Sequence, residues 1–340
     1  MDKSISIIIP NYNGNATIGK CLESAFSSRY GRFEVVVVDD CSTDDSIETI
    51  KKFPCKFIQL DKHSGTSKAR NTGAKNSNGK ILFFIDSDCL LQENTLAIVN
   101  KTIPTFSSEN IIIGGTYTRI PYDDNFFSIF QSIFVNYFET KKKEPDYIAA
   151  HAMIIDAQLF KDSGGFVDDY FIPIIEDVEF SHRLRRAGCK LVMNPEILVQ
   201  HIFNFSLMGS LRNAVKKSLY WTMYSIQNRD LLADSGTASV ELKINVASCL
   251  SNLLLVLLGI ATKSAVFLIP VPLIFAFNIF INRKLLRAFY ETKGLSFTIL
   301  ATLYYTILYP LAVGAGTVMG TIKLIMQMLS LRAKRSNLSF

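Results

Sequence analysis

Blocks of apolar residues alternate with mixed helical segments up to Leu91. "SISIIIP", "FEVVVVDD", "CKFIQL" and "KILFFIDSD" are strands with too few polar positions for a sheet face in water, which predicts burial on both faces. Between them, "NATIGKCLESAFSS" steps Ile18, Leu22 and Phe26 at helical spacing. "STDDSIETIKKF" offers Ser42 and Asp45 as a capping box, and "GTSKARNTGAKNS" reads as a third helix. Strand-helix alternation of this kind predicts an α/β fold with a parallel sheet covered on both sides.

The middle of the chain is less regular. "IIIGGTYT" predicts a strand, "FFSIFQSIFVNYFE" a helix, and "IAAHAMIIDAQLF" a strand running into a helix. A Gly-Gly turn then leads to a helix over about 176–187 and a strand ending near Pro195. Within "FSLMGSLRNAVKKSLYWTMYSIQNRD", Met208, Leu211, Val215, Leu219 and Met223 share a helical face, with Arg212, Lys216 and Lys217 elsewhere. That pattern suits an amphipathic helix in a membrane interface. From Ile244 onward apolar runs dominate, each close to the length of a bilayer span. The stretch 295–331 is too long for one upright helix at about 1.5 Å per residue through roughly 30 Å of hydrocarbon, so Pro310, Gly314, Gly316 and Gly320 are candidate breaks. The spacing of "GAGTVMG" inside such a run predicts close helix packing rather than a dinucleotide loop.

Composition sharpens this division. The 340 residues are 49% hydrophobic with a mean hydropathy of +0.22, oily for a chain without membrane helices. The net charge of +6 is modest, and Arg283, Lys284, Arg287, Arg332, Lys334 and Arg335 flank the apolar runs, where lipid headgroups and cytoplasmic loops lie. No basic stripe with interleaved aromatics argues for nucleic acid as a partner. The six cysteines show no C-x-x-C spacing, which predicts reduced, packed thiols, and the N-terminus has no segment of signal-peptide length. A cytoplasmic head on a multi-pass cell-membrane anchor is the expected arrangement. The basic end favours an even number of spans, four by this count with three as the alternative.

Two short acidic motifs carry the chemistry. Asp86 and Asp88 leave the end of an oily strand at i and i+2, so both side chains project to one side and can address one ion. Hard oxygen donors suit Mg²⁺ or Mn²⁺, which bridge to phosphates. Glu176 and Asp177 open a later helix, where a carboxylate is positioned to accept a proton from a weakly nucleophilic hydroxyl. Ligands of such sheets bind beyond the carboxyl ends of the strands, which makes "IIIPNYN", "VVVVDD" and "FFIDSD" one locality.

The ordered set "SIIIPNYN", "VVVVDDCSTDDS", "SKARNTGAKNSNGKILFFIDSDCLL", "GGF" and "EDVEFSHRLRRAG" resembles the family 2 glycosyltransferases over residues 3–203. The resemblance implies a GT-A-type mostly parallel sheet flanked by helices, followed here by an α-helical transmembrane region. It implies that Pro10, Tyr12 and Asn13 border a nucleotide, that Asp39 accepts from its base, and that Arg70 lies near the base or phosphates. It makes Asp86 and Asp88 the D-x-D pair holding the metal, Asp177 the catalytic base beside Glu176, and His201 a further candidate on the metal or diphosphate. His63 and His151 read as packing residues. No Q-x-x-R-W follows the base, which argues against long-polymer synthesis. The expected organisation is a head over 1–203, an interfacial helix and linker over 204–235, membrane helices over 236–331 (about 244–261, 264–282 and 295–331, the last one broken span or a hairpin) and a basic tail over 332–340. The implied reaction is inverting, metal-dependent transfer of one sugar from a nucleoside diphosphate sugar to a lipid-linked or membrane-proximal glycan. Its rivals are a polyprenyl-phosphate sugar synthase and a nucleotidyltransferase.

Overall fold

The computed structural model describes residues 3–103, 110–168 and 174–336, with side chains through residue 330. The basic tail expected over 332–340 lies outside the described side chains. The chain divides into two compact units, residues 1–171 with 176–204, and residues 205–340 with the short stretch 172–175.

In the first unit, β1 (Ile5–Asn11), β2 (Phe33–Asp39), β3 (Lys56–Gln59) and β4 (Ile81–Phe84) pair in parallel, in the order β3-β2-β1-β4. They are joined by α1 (Asn15–Phe26), α2 (Ser46–Ile50) and α3 (Thr66–Lys75). β1 is buried along its whole length because its neighbours flank it on both sides and helices cover its faces. Pro10 is tolerated there for a local reason. The β1–β4 ladder ends at the Ile8–Phe84 pair, so the missing N–H of Pro10 falls where β4 has run out.

Beyond β4 the sheet becomes mixed rather than wholly parallel. β7 (Met153–Asp156) runs antiparallel to both β4 and β6 (Ile111–Tyr117), β8 (Lys190–His201) runs parallel to β6, and β5 (Cys89–Leu91) pairs antiparallel with β8. The strand expected to end near Pro195 continues to His201. Its register against β6 jumps between Gly114 and Thr116, and Pro195 sits in that irregularity, where no ladder donor is required. The remaining helices of this unit are α4 (Thr95–Thr102), α5 (Phe126–Thr140), α6 (Ala157–Asp162) and α7 (Glu176–Arg186). Phe84, Phe160, Phe166 and Phe180 pack together in the core beneath the sheet's carboxyl ends.

The second unit contains α8 (Leu207–Asn228), α9 (Val240–Thr262), α10 (Pro270–Leu303) and α11 (Tyr309–Ser336). Two stretches, Val240–Thr262 and Ala265–Ser330, are long and apolar enough to cross a bilayer. α11 meets α8 through glycines on its own side. A Cβ on Gly316 would overlap the Val215 carbonyl oxygen and one on Gly320 the Leu219 carbonyl oxygen, so glycine sets this spacing. The side chains of Met208, Leu211, Val215 and Leu219 also line a shallow groove, together with Arg212, Lys216 and Tyr220.

The stretch 295–331 stays helical through Pro310. Its irregularity is a π-helical turn at Tyr304–Leu308, and the sharp kink lies earlier, at Gly294 with φ 77°. The π turn widens the hydrogen-bond ladder just before proline removes a donor, and Asn245 Nδ2 donates to the Tyr305 carbonyl at 2.7 Å. Asn278 Nδ2 donates to Asn245 Oδ1 at 2.7 Å, and Tyr305 O–H to Asn282 Oδ1 at 3.0 Å. These buried amides satisfy one another amid apolar helices.

Candidate active site

Four of the residues singled out in the sequence gather where β1 and β2 end. Asp39 is fully buried and accepts from Asn11 Nδ2 at 2.8 Å, from Ser42 N at 2.8 Å and from Ser42 Oγ at 2.5 Å. Ser42 is thereby taken from the capping box expected with Asp45; α2 starts later, at Ser46, and no side chain caps it. Asn13, at φ 50°, donates its N–H to Ser42 Oγ at 2.8 Å and accepts from Thr43 N at 2.8 Å, stapling the two loops together. Tyr12 is half exposed above Pro10 in sequence and packs its ring on His63 at 4.1 Å. His63 in turn lies 2.9 Å from buried Asp40, which also accepts from Ser64 N and Gly65 N.

Next along the sheet, the turn after β4, from Asp86, opens a second cluster. Arg70 projects from α3 and is buried. Its Nη2 lies 2.7 Å from Asp86 Oδ1 and its Nη1 2.7 Å from Glu176 Oε1, with the Phe166 ring 5.6 Å from its guanidinium carbon. One guanidinium therefore ties the D-x-D turn to the first turn of α7. Burial pushes the Asp86 carboxyl up, but the Arg70 charge, aided by His151 and His201, outweighs it and holds the group below the ordinary carboxylate range. Asp177 has no such partner. It accepts from Ala150 N at 3.1 Å, and burial with the neighbouring Glu176 charge raises its pKa to about 6 despite Arg70. Arg183, on the same helix, donates to the carbonyls of Ser163 and Gly165 and so anchors the Gly-Gly turn.

Asp88 turns away from Arg70. Its Oδ2 lies 3.4 Å from His201 Nε2 at the end of β8, and burial together with the Asp86 charge raises its pKa to about 7. Asp88, His201 and Cys89 present ligand atoms within 4.8 Å of one another. Burial keeps the Cys89 thiol protonated, which leaves a carboxylate and an imidazole as the effective donors. That pair fits a divalent cation: the site already has a carboxylate made costly to ionise by its surroundings, and a nearby dication is the counter-charge that relieves it. Asp86 commits one oxygen to Arg70, so Asp88 is the carboxylate turned to that position.

Three further residues sit against this locality. Glu139, in the last turn of α5, is buried; Thr116 Oγ1 donates to its Oε2 at 2.7 Å, and His151 Nε2 lies 3.3 Å from the same oxygen, at ion-pair distance. The His151 ring stacks on Tyr117 at 4.0 Å, and Tyr117 meets the His201 ring edge-on at 4.9 Å. The sequence signal was present but small: a lone carboxylate closing an aromatic helix, and a lone histidine inside "IAAHAMII". The six cysteines are free thiols.

The family description "Glycosyl transferase family 2" matches residues 6–161, which include the ends of β1, β2 and β4 just described. The head of this chain is a family 2 glycosyltransferase domain. Glycosyltransferase GlyA of Streptococcus pneumoniae serotype 4 is 31% identical over 179 residues, 47% of this chain and 25% of that protein. The poly(ribitol-phosphate) beta-N-acetylglucosaminyltransferase TarS of Staphylococcus aureus is 35% identical over 115 residues, 32% of this chain and 20% of that protein. The glycosyltransferase match thus spans a quarter or less of the length of these curated relatives. Among solved structures, the mannosyltransferase PcManGT from Pyrobaculum calidifontis, in complex with GDP-Man and Mn²⁺, superposes with a TM-score of 0.58 at 14% identity, over 96% of this chain and 88% of that one. The glycosyltransferase head has the GT-A fold, its sheet mixed and curled with parallel pairings in the majority.

Proposed function

We propose that this protein transfers a single sugar from a nucleoside diphosphate sugar to a hydroxyl of a lipid-linked or membrane-proximal glycan, with inversion at the anomeric carbon. The observation that carries this reading is the Arg70 bridge. Carboxylates far apart in the chain, Asp86 and Glu176, converge on one guanidinium, and Asp88 and Asp177 flank them. Pro10, Tyr12, Asn13 and Asp39 would border the nucleotide at the neighbouring strand ends. Asp88 and His201, with Asp86 behind them, would hold Mg²⁺ or Mn²⁺, which would neutralise charge building on the departing diphosphate. Asp177 would accept the acceptor's proton. A pKa of about 6 leaves it mostly ionised at neutral pH yet basic enough to draw the proton as the bond forms. The backbone N–H groups of Ala150 and Val178, one on each oxygen, hold the Asp177 carboxylate in place. The apolar helices α9 to α11 support membrane anchoring, and with it an acceptor that arrives in the bilayer plane.

The test is a panel of nucleotide sugars incubated with membranes containing the protein, with and without EDTA. Release of nucleoside diphosphate that EDTA abolishes and Mn²⁺ or Mg²⁺ restores is the expected result. Pyrophosphate release instead would mark a nucleotidyltransferase. Asp177→Asn distinguishes the remaining rival: a lipid phosphate acceptor needs no strong base, so that variant would retain most of its rate only if the protein is a polyprenyl-phosphate sugar synthase.

A further inference from the structure

Glu139 sits where a carboxylate is costly. It is 7% exposed, in the C-terminal turn of a helix whose dipole disfavours an anion, and the helix around it is aromatic. One hydroxyl, that of Thr116, does not offset a buried charge; a cation does. His151 supplies the partner, at 3.3 Å and 9% exposed. The same histidine reaches the reaction centre by two routes. Its ring packs on Tyr117, which also meets the rings of Phe203 and of His201 beside Asp88. Its own turn donates the Ala150 N–H that orients Asp177. Its charge draws the carboxyls of both Asp86 and Asp88 downward. A purely structural pair would not need to face the D-x-D turn.

We propose that Glu139 holds His151 as a fixed positive charge behind the D-x-D turn, a positioning pair that favours a bound nucleoside diphosphate over a bare divalent cation. This rests on the reading of that turn as a metal-diphosphate site. A positive group there repels a lone dication and attracts the diphosphate that accompanies it. Removing the group therefore moves the two affinities in opposite directions, which loss of packing does not do.

The experiment uses the full chain in detergent, without sugar donor or acceptor. Mn²⁺ binding is read by electron paramagnetic resonance, and UDP and GDP binding at saturating Mn²⁺ by calorimetry. In His151→Asn, Mn²⁺ alone binds about threefold tighter or more, and whichever diphosphate the wild type binds is held about threefold more weakly or worse. Glu139→Gln keeps the shape and the Thr116 hydrogen bond but strips the imidazole of its anionic partner. It shifts both affinities the same two ways by less, and the double variant adds nothing to His151→Asn. If His151→Asn does not fold, Glu139→Gln decides alone. Weakening of both ligands, or no change in either, overturns the proposal while leaving the site reading intact. A wild-type protein that binds neither Mn²⁺ nor a diphosphate overturns both.

Discussion

Replacing Arg70 by methionine tests whether the clamp between Asp86 and Glu176 organises the site. The guanidinium side chain is 4% exposed and makes a 2.7 Å charge-assisted contact to each carboxylate. Removing one member of a buried ion pair costs about 3–5 kcal/mol, because the charges left behind lose their partner. Here two acids are left, so the upper end of that range applies, against a typical domain stability of about 5–15 kcal/mol. The sign with pH follows from the direction of the shift. Arg70 holds Asp86 below its ordinary pKa, so the stabilisation is present above the ordinary carboxylate range and fades as pH falls through the depressed value. The deficit of Arg70→Met is therefore full at pH 7 and shrinks in strong acid. Hydrogen exchange of β4 and α3 amides in the full-length protein measures it. Substituting Asp86→Leu and Glu176→Met on top recovers most of the lost protection but no activity. A deficit below about 1 kcal/mol, or one that does not change with pH, would refute the reasoning, since the pair would then behave as a solvated surface contact.

Three further outcomes are expected. The rate of wild-type protein rises through an acid limb near pH 6, where Asp177 ionises, and Arg70→Met moves that limb upward because Arg70 lowers the Asp177 pKa; initial rates from pH 5 to 8 check both. Asp177→Asn lowers kcat by about 10²–10⁴-fold. Because the Asp177 pKa is raised on folding, its ionised form costs stability above about pH 6 and nothing below the ordinary carboxylate range, so the asparagine variant melts higher at pH 8 and equally at pH 3. In the second unit, Gly316→Leu or Gly320→Leu forces α8 and α11 apart at a cost of about 1–3 kcal/mol, read by the fluorescence of the sole tryptophan, Trp221 on α8, during urea unfolding.

The parts of this fold that sequence reveals are those governed by local pattern. β1, β2 and β4 announce themselves as oily runs because they are covered on both faces, and the placement of Asp86 and Asp88 follows from where β4 stops. The direction of β7 does not follow, because a four-residue strand carries no mark of its orientation; the long connections on either side decide it. Ser42 and Asp45 had the spacing of a capping box, yet the Ser42 hydroxyl donates instead to the fully buried Asp39. Pro310 had the local character of a helix breaker, but a π turn with Tyr304, Tyr305 and Thr306 buried precedes it and an Asn245 donor takes up the Tyr305 carbonyl, so the helix continues. Arg70 was expected near a nucleotide's base or phosphates and not as a bridge between acids, since its contact to Glu176 spans 106 positions.

That bridge also sorts carboxylates that sequence alone leaves equivalent. Asp86, Asp88, Glu176 and Asp177 share one locality, and a single guanidinium with two contacts cannot serve all four. Asp86 and Glu176 take it, so Asp86 stays ionised as scaffold. Asp88 and Asp177 are left in buried surroundings beside like charge, at about 7 and about 6. Groups whose environments push them away from their neighbours are the ones available for chemistry. On the proposed reading the two differ in what relieves them. Asp88 faces His201, and the pair calls for a cation; Asp177 has a backbone N–H behind it, and calls for a proton. A glycosyl transfer needs one of each, a group to hold the counter-charge of the leaving diphosphate and a group to take the proton of the incoming hydroxyl, and Arg70 separates those roles by satisfying the other two acids.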